Sequence, residues 1–414
     1  MHWLLAESYA ALGRSDDALQ HYRLLLDRAP DSPLADEAAY RLGYLLQQRG
    51  DFAEAARRFG KLAADRPASP LAPRALFAAA YCHQKLEQHA EAARDWAAVA
   101  ERYPTNALAE EALYQRAVSE VRLRRGTDAL EAFRRLIETH PRTEFATDAR
   151  YWRGVLLVET GRVEDAESEL RACLSANPRV ELRREAEFAL ALALQKQGSD
   201  AEASKLLLPL AASPLRERFT PALLEWLAEA RLREKDPAGA LEVTRMLVTN
   251  QESENALQAG WQIAGEAHLA QGAKGEARAA FQKAVDAEAR TPRGARAALR
   301  LGELALGDGD AAGALKYYEL AAEQSRSDEL LAVRAEAYAG LGRASQAAGH
   351  PADAARYFMS VAILYDDDTL VPACLRGAVE AFRAAGMTNE AAQAAEELVR
   401  RTPAAAGTVP PPAP

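Results

Sequence analysis

The chain has 414 residues, of which 27% are charged and only 7% aromatic, and its formal net charge is −9. This charge argues against a dedicated nucleic-acid binder, whose affinity would depend on many Lys and Arg side chains that neutralise phosphates. No run of 18 residues is free of charge, so a membrane-spanning helix is not expected. The hydrophobic content of 49% is rich in alanine, which predicts a folded protein without a large aromatic core.

A repeat of 37 residues runs along the chain. It is marked by five evenly spaced prolines: Pro30, Pro67, Pro104, Pro141 and Pro178. An alanine series runs in phase with them: Ala18, Ala55, Ala92, Ala129, Ala166, Ala203, Ala240, Ala277, Ala314, Ala354 and Ala391. The step from Ala314 to Ala354 is 40 residues and every other step is 37. A fixed period of this length is typical of solenoid proteins, and eleven such repeats account for nearly the whole chain.

Each repeat has the pattern of two helices, and repeat two shows it most clearly. Ser32 is expected to cap the first helix, with the proline that follows it in the first turn. Gly50 supplies a left-handed residue at the end of that helix. Asp51 and Glu54 resemble a capping box that opens the second helix, and Pro67 ends it. The sequence therefore predicts a helical hairpin.

Two further series predict how the hairpins pack. A small residue precedes the turn by seven positions in ten repeats: Ala6, Gly43, Ala80, Ala117, Gly154, Ala191, Ala228, Gly265, Gly302 and Gly342. A bulkier residue, which we call the filler, follows the alanine of the second helix by four: Tyr22, Phe59, Trp96, Phe133, Leu170, Leu207, Phe281, Tyr318 and Phe358. Small residues facing the alanine series let the helix axes approach closely, and the fillers occupy the adjoining space. A single hairpin cannot bury its apolar face alone, so a solenoid is predicted.

This combination of a small residue, a glycine turn, Ala-x-x-x-aromatic and a proline resembles the tetratricopeptide repeat. Repeat eight places Trp261, Ala264, Gly265 and His268 in the tryptophan, leucine, glycine and tyrosine positions. The resemblance covers residues 1 to 403 and implies an all-α fold, a right-handed α–α superhelix of about eleven hairpins. The longer period and the links PDSPLADEA and PASPLAPRA are similar to bacterial envelope proteins, such as the periplasmic coordinator of the Tol-Pal system and the outer-membrane assembly lipoprotein.

The repeats suggest a division of the chain. Residues 1–215 hold repeats one to six, residues 216–403 hold the more divergent repeats seven to eleven, and residues 404–414 form a Pro/Ala tail that is expected to be disordered. Met1 falls inside the first helix of a repeat, so the chain is expected to begin within one. The amino terminus shows no signal peptide. We therefore expect the periplasm or cell envelope if an upstream signal precedes Met1, and the cytoplasm otherwise.

The sequence holds no pattern of residues that predicts catalysis. The histidines have no metal-ligand spacing, and Cys82, Cys173 and Cys374 lie far apart without a CxxC pair. The segment 307–313, GDGDAAG, is neither a phosphate loop nor a complete calcium loop and falls at the turn of repeat nine. The run 366–368 of three aspartates could recruit a cation, although a solvated loop is favoured. We expect no catalytic residue, no metal and no cofactor.

One aromatic series stops after repeat six. Ten residues before the turn stand Trp3, Tyr40, Phe77, Tyr114, Tyr151 and Phe188, and Tyr44 and Tyr81 lie four residues further along in repeats two and three. From repeat seven the same position holds Glu225, Gln262, Leu299, Ala339 and Arg376. These rings either form a ladder that grips an extended or helical partner segment, or pack in the core between repeats. An exposed ring face would favour the first interpretation, and burial the second.

The sequence thus favours a non-catalytic scaffold or adaptor that binds other proteins or peptide segments, in bacterial cell-envelope assembly or maintenance. Neither nucleic acid nor membrane insertion is expected. Two alternatives stay open. The chain could be the repeat arm of a larger enzyme or signalling receptor, or a sensor that holds a peptide or small molecule.

Overall fold

The structure is a computed structural model that describes residues 1–250, 253–287 and 291–402. In these ranges the chain forms 22 α-helices, two short 3₁₀ turns (Pro214–Arg218 and Asp328–Leu330) and no β-strand. Consecutive α-helices pair into eleven hairpins, as the 37-residue period predicts. The predicted all-α fold of about eleven helical hairpins is therefore confirmed.

The chain divides into two compact bodies, an N-terminal body, Met1–Ala203, and a C-terminal body from Ser204 onward. The division falls inside a helix of repeat six, before the boundary at residue 215 that repeat counting suggests. The predicted tail, residues 404–414, lies outside the described residues.

The N-terminal body contains the helices α1 His2–Ala11, α2 Ser15–Arg28, α3 Ala35–Gln48, α4 Phe52–Asp65, α5 Ala72–Lys85, α6 His89–Arg102, α7 Leu108–Arg122, α8 Gly126–Thr139, α9 Ala146–Glu159, α10 Val163–Ser175 and α11 Val180–Gln197. Helix α12, Asp200–Ala211, contains the division between the bodies. Odd-numbered helices are the first helices of their repeats and even-numbered helices are the second.

The C-terminal body continues with α13 Pro221–Arg233, α14 Pro237–Asn250, α15 Glu254–Ala270, α16 Lys274–Asp286, α17 Pro292–Gly307, α18 Ala311–Gln324, α19 Leu331–Ala347, α20 Pro351–Leu364, α21 Leu370–Ala384 and α22 Thr388–Arg401. Segment 307–313 forms the turn between α17 and α18, as expected, and Asp310 accepts a hydrogen bond from the Gly313 amide at 2.9 Å.

Repeat two shows which local signals act as expected. Asp51 accepts from the amide of Glu54 at 3.2 Å and so caps α4. A capping box also needs the Glu54 carboxylate to accept a hydrogen bond from the Asp51 amide. This part of the prediction is wrong, because the carboxylate pairs instead with Arg57 and Arg58. The predicted Ser32 cap is also wrong. Its hydroxyl accepts a hydrogen bond from the Leu34 amide at 3.3 Å, in a turn that precedes α3. The side chain therefore stabilises the link between repeats and does not cap the helix.

The turn between the two helices of a repeat needs one left-handed residue. Eight repeats supply glycine, for example Gly50 with φ of 81°. In repeats three, four and seven the position holds Glu87, Arg124 and Lys235, each with φ between 57° and 59°. A side chain is strained in this region, so these three turns keep the conformation because the packed helices on both sides impose it.

The core follows the predicted pairing of small and large residues. Every alanine of the in-phase series is buried, and the fillers Tyr22, Phe59, Trp96, Phe133, Phe281 and Tyr318 are almost completely buried. A Cβ atom added to Gly43 would lie 2.7 Å from the Phe59 ring, and one added to Gly302 would lie 2.7 Å from the Tyr318 ring. In these two repeats the filler ring therefore leaves no room for a Cβ atom on the first helix.

Within each body, the largest contacts between helices that are not neighbours in sequence join first helices of successive repeats. In the N-terminal body α5 contacts α7 and α9 contacts α11, and in the C-terminal body α13, α15, α17, α19 and α21 form a continuous series. Side chains at equivalent positions of these first helices are therefore brought close together. In the aromatic series this applies to Phe77 and Tyr114, and to Tyr151 and Phe188.

Candidate functional site

The predicted aromatic series lies at one position of six first helices, α1, α3, α5, α7, α9 and α11. Five of its side chains are half-buried: Trp3, Tyr40, Phe77, Tyr114 and Tyr151. The sixth, Phe188, is only 2% exposed and belongs to the core. Phe188 therefore has no open ring face, and we do not include it in the candidate surface.

In repeats one to four, the inner edge of the ring packs against the filler of the same repeat. The ring centroids of Trp3 and Tyr22 are 5.8 Å apart, and those of Tyr40 and Phe59 are 5.4 Å apart, with the planes inclined at 61° and 53°. The same arrangement joins Phe77 to Trp96 at 4.6 Å, with an angle of 74°. Such edge-on contacts are favourable for aromatic pairs. These rings are therefore held in place by the cores of their own repeats, and the core interpretation describes this inner edge.

The outer side of the series is most open in repeats two and three. Tyr44 is 42% exposed, and Tyr81 is half-buried with the Lys85 ammonium 5.2 Å from its ring centroid. Burial raises the pKa of the Tyr40 hydroxyl, while the Arg74 guanidinium of the next repeat lowers it. Arg74 and Tyr44 therefore adjoin Tyr40. The rings of α3 and the first turn of α5 share one surface with tyrosine hydroxyls and a cation at its rim.

Towards repeats four and five the series is more enclosed. Phe145, from the link before α9, stacks on Tyr114 with centroids 4.8 Å apart and planes 18° apart, while Phe133 contacts the same ring edge-on at 5.9 Å. Tyr151 contacts Trp152, with centroids 5.4 Å apart. Sequence reasoning missed Phe145. A large apolar residue recurs in the link between repeats at intervals of 37: Leu34, Leu71, Leu108 and Phe145. This periodicity was the sequence signal that could have identified Phe145.

We name the surface formed by seven residues the aromatic face: Trp3, Tyr40, Tyr44, Phe77, Tyr81, Tyr114 and Tyr151. Amide groups border it, and Gln84 of α5 donates to Gln115 of α7 at 3.2 Å. This pair joins two adjoining first helices beside the rings. The surface therefore offers apolar ring faces together with hydroxyl, amide and cationic groups.

In repeats seven and eight of the C-terminal body, the positions equivalent to Tyr40 and Tyr44 hold charged or amide side chains. Arg293, at the start of α17, pairs with Glu225 and Glu229 of α13, the latter at 2.6 Å, and donates to Gln262 of α15 at 2.8 Å. The three first helices therefore converge on one guanidinium, which is only 17% exposed. We name the surface formed by Glu225, Glu229, Gln262, Glu266, Arg293, Arg300 and Glu303 the charged face.

A second guanidinium extends the charged face. Arg300 lies 3.0 Å from Glu266 and 2.9 Å from Glu303. The glutamates raise the pKa of Arg300 against the opposing effect of burial. Sequence reasoning did not identify this network. Glu229, Glu266 and Glu303 recur every 37 residues, and this glutamate series was its signal.

The groups considered for catalysis do not converge. Cys82, Cys173 and Cys374 are buried, and burial raises the pKa of each thiol to about 11. His83 lies 2.8 Å from Asp95 rather than sharing a ligand site with Cys82. In the described ranges, no group of three or more His, Cys, Asp and Glu side chains is placed to hold a metal ion. In the same ranges no helix is both long enough and apolar enough to span a membrane.

A family model described as the tetratricopeptide repeat matches residues 1–33, 40–107, 114–181 and 264–329, which together cover more than half of the chain. No curated protein matches the sequence.

Several solved structures are similar. A tetratricopeptide repeat protein from Parabacteroides merdae is 20% identical over 61% of this chain and 93% of its own, with a TM-score of 0.39. The structure of Naa15/Naa10 bound to HypK-THB is 13% identical over 97% of this chain and 63% of its own, with a TM-score of 0.44. BtubC from P. vanneervenii is 20% identical over 54% of this chain and 96% of its own, with a TM-score of 0.42.

Proposed function

We propose, since this chain belongs to the tetratricopeptide repeat family, that it is a non-catalytic scaffold that binds a segment of another protein on its aromatic face. Proteins of this architecture generally present extended surfaces for other proteins. The observation that carries the proposal is that Tyr40 and Phe77 are anchored on one edge by the fillers, while Tyr44 on the same helix as Tyr40 is exposed.

Anchoring is useful for binding because an immobilised ring has little conformational freedom left to lose. Ordering a free side chain at an interface costs about 0.5–1.5 kcal/mol, and aromatic side chains supply large contact areas with only two rotatable bonds. Tyr40 and Phe77 are ordered in this way before any partner arrives. Tyr44 and Tyr81 add polar hydroxyl groups, so the face suits an extended or helical segment with apolar side chains and free backbone groups.

The direct test is affinity capture from the source organism with the full chain and with Tyr44→Ala and Tyr81→Ala variants. We expect both variants to lose captured partners, because each removes a ring from the aromatic face. Tyr44→Ala should leave the thermal midpoint almost unchanged, since that side chain is exposed. Val180→Ala, which changes an exposed apolar residue outside the aromatic face, is the matched control. Partners that remain bound to both tyrosine variants as firmly as to the Val180→Ala control would contradict the proposal.

We place this scaffold in the bacterial cell envelope, where it would serve assembly or maintenance. The support is the similarity of the 37-residue period and of the P-x-S-P-x-A link to envelope tetratricopeptide proteins. Fractionation of source cells, followed by immunodetection of the chain, tests this part separately. Recovery with the periplasmic or membrane fraction is expected, and recovery in the cytoplasm alone would contradict the envelope role without affecting the binding proposal.

A further inference from the structure

The end of α20 exposes two large apolar side chains. Ile363 is 71% exposed and Leu364 is 65% exposed, and both stand in the last turn of the helix. They are followed by Tyr365, which is buried, and by the aspartates 366–368. Exposed apolar residues that adjoin one another, unlike single ones, indicate an interaction surface.

The same two positions in the other ten repeats show that apolar side chains here are not a property of the repeat. Elsewhere they hold only polar or small residues: Asp27 and Arg28, Ala64 and Asp65, Glu101 and Arg102, Glu138 and Thr139, Ser175 and Ala176, Ala212 and Ser213, Thr249 and Asn250, Asp286 and Ala287, Glu323 and Gln324, Arg400 and Arg401. The repeat thus ends its second helix with hydrophilic or small residues. Repeat ten alone replaces them with isoleucine and leucine.

Two shallow recesses meet at Ile363. One, of about 490 Å³, is lined by Leu364, Val371 and Pro372 together with the aspartates. The other, of about 460 Å³, lies between α20 and α22 and is lined by Met359 among others. Met359 and Ile363 are four residues apart, so they form an apolar strip along one face of α20. An apolar strip in a groove between two helices is the geometry that accepts a third amphipathic helix.

The rim of these recesses is acidic. Five carboxylates and two guanidinium groups line them, Asp366, Asp367, Asp368, Glu390 and Glu397 against Arg400 and Arg401.

The guanidinium groups are already engaged. Arg400 and Arg401 both pair with Glu397, the latter at 2.8 Å. Arg401 also lies 3.8 Å from Asp366, whose side chain is fully exposed. Asp367 accepts from the amides of Thr369 and Leu370 at the start of α21. Asp366 and Asp368 therefore present negative charge beside the apolar strip, and a complementary ligand brings cations.

We propose that this patch, formed by Met359, Ile363 and Leu364 with the acidic rim, is a docking site for a basic amphipathic helix of a partner protein. The helix inserts apolar side chains along Met359 and Ile363 and places Lys or Arg beside Asp366 and Asp368. This site lies wholly in the C-terminal body and does not depend on the aromatic face. It gives the scaffold a second surface with its own partner chemistry.

The test uses the full chain and a synthetic helical peptide of about 14 residues, with leucines at i, i+3, i+4 and i+7 and lysines elsewhere, as in helix-in-groove ligands. Calorimetry or fluorescence anisotropy measures the dissociation constant. The variant I363S/L364S, which restores the small polar character of the other repeats, should weaken binding by roughly tenfold or more, because two exposed apolar contacts are removed. Val180→Ser, another exposed apolar position, should leave binding unchanged.

Charge is tested separately. The variant D366N/D368N should weaken binding at low salt and reduce its salt dependence, and the same peptide with glutamates in place of lysines should not bind. Equal binding of both peptides, or binding unaffected by I363S/L364S, would overturn the proposal. Binding that appears only after residues 404–414 are deleted would assign the patch to the chain's own tail and would also overturn it. Circular dichroism of each variant checks that the fold is retained.

Discussion

The two bodies of this protein are built on the same repeat core but differ on the face of their first helices. In both, a filler on the second helix lies against a small residue on the first, as Phe59 does with Gly43 and Phe281 with Gly265. In repeats two and three of the N-terminal body the neighbouring position holds Tyr40 and Phe77, and in repeats seven and eight of the C-terminal body it holds Glu225 and Gln262. One architecture thus carries two different surfaces.

The comparison shows how each surface is accommodated. A ring in this position packs its inner edge on the filler, so it stabilises the repeat by itself. A glutamate has no such contact and is partly buried, so it needs an opposite charge, which Arg293 supplies from two repeats away. In repeats one to four, each ring of the aromatic face is therefore anchored within its own repeat, whereas the charged face depends on contacts between repeats.

The largest expected effect tests whether the core is truly shared. Phe59→Ala and Phe281→Ala should each lower the free energy of unfolding by about 3–5 kcal/mol, because a completely buried ring leaves a cavity. Chemical denaturation followed by circular dichroism measures the change, with the exposed Leu331→Ala as control. If only one of the two substitutions is destabilising, the two bodies do not depend on the same packing.

The second prediction concerns the charged face. Arg293→Met should destabilise the C-terminal body by about 1–3 kcal/mol, because Glu225 and Glu229 lose their counter-charge in a partly buried setting. Arg296→Met changes an exposed arginine of the same helix and should have almost no effect. Thermal unfolding at neutral pH compares the two variants. Similar midpoints would show that the network does not contribute to the stability of the contacts between the first helices.

The third prediction uses the turns, which occur in both bodies. Glu87→Gly and Lys235→Gly should each stabilise the protein by about 0.5–1 kcal/mol, since relief of left-handed strain exceeds the entropic cost of glycine. Gly50→Ala should destabilise it by a similar amount. Midpoints of denaturant unfolding give the comparison, and a loss of stability in both glycine variants would mean that the side chains at these turns make favourable contacts that outweigh the strain.

The smallest expected effect is a pH dependence at the edge of the charged face. Burial, and then the nearby Glu303, raise the pKa of Glu336 above its usual value of 4.5, while Arg300 and Arg343 oppose the shift. The folded state therefore binds the proton more tightly, and this group adds stability as the pH falls from neutral through its raised pKa. Glu336→Gln should remove this gain and slightly stabilise the protein at neutral pH, by less than about 1 kcal/mol because water screens the group. Thermal midpoints between pH 4 and 7, as rough limits set by the usual carboxyl range, measure it, and identical curves for the two proteins would contradict the shift.

Most of the fold was predictable from the sequence because the repeat shows each signal eleven times. The alanine series, the fillers and the small residues opposite them all occupy the predicted places. Single local signals were less dependable. Ser32 was predicted to cap α3, but its hydroxyl accepts a hydrogen bond within the link before that helix. Glu54 pairs with arginines instead of completing the capping box. Both predictions failed because each polar side chain had several partners within reach.

The candidate site was only partly predictable. The position of the aromatic series was evident, yet its burial was not, since a periodic ring suits a groove as well as a core. The structure shows rings that do both, and it removes Phe188 from the surface. The charged face was missed because Arg293 and its glutamates lie 64 and 68 residues apart in the chain.

The sequence by itself determined the kind of repeat, its number and the packing of each hairpin, because these depend on contacts between neighbours that recur every 37 residues. The tertiary structure alone decided which side chains remain open to a partner. Exposure depends on what the adjoining repeats and links place over a residue, as Phe145 does over Tyr114. The structure also showed that Ile363 and Leu364 are exposed. An apolar pair in the sequence could equally well be buried, and only the position of the neighbouring elements decides between the two.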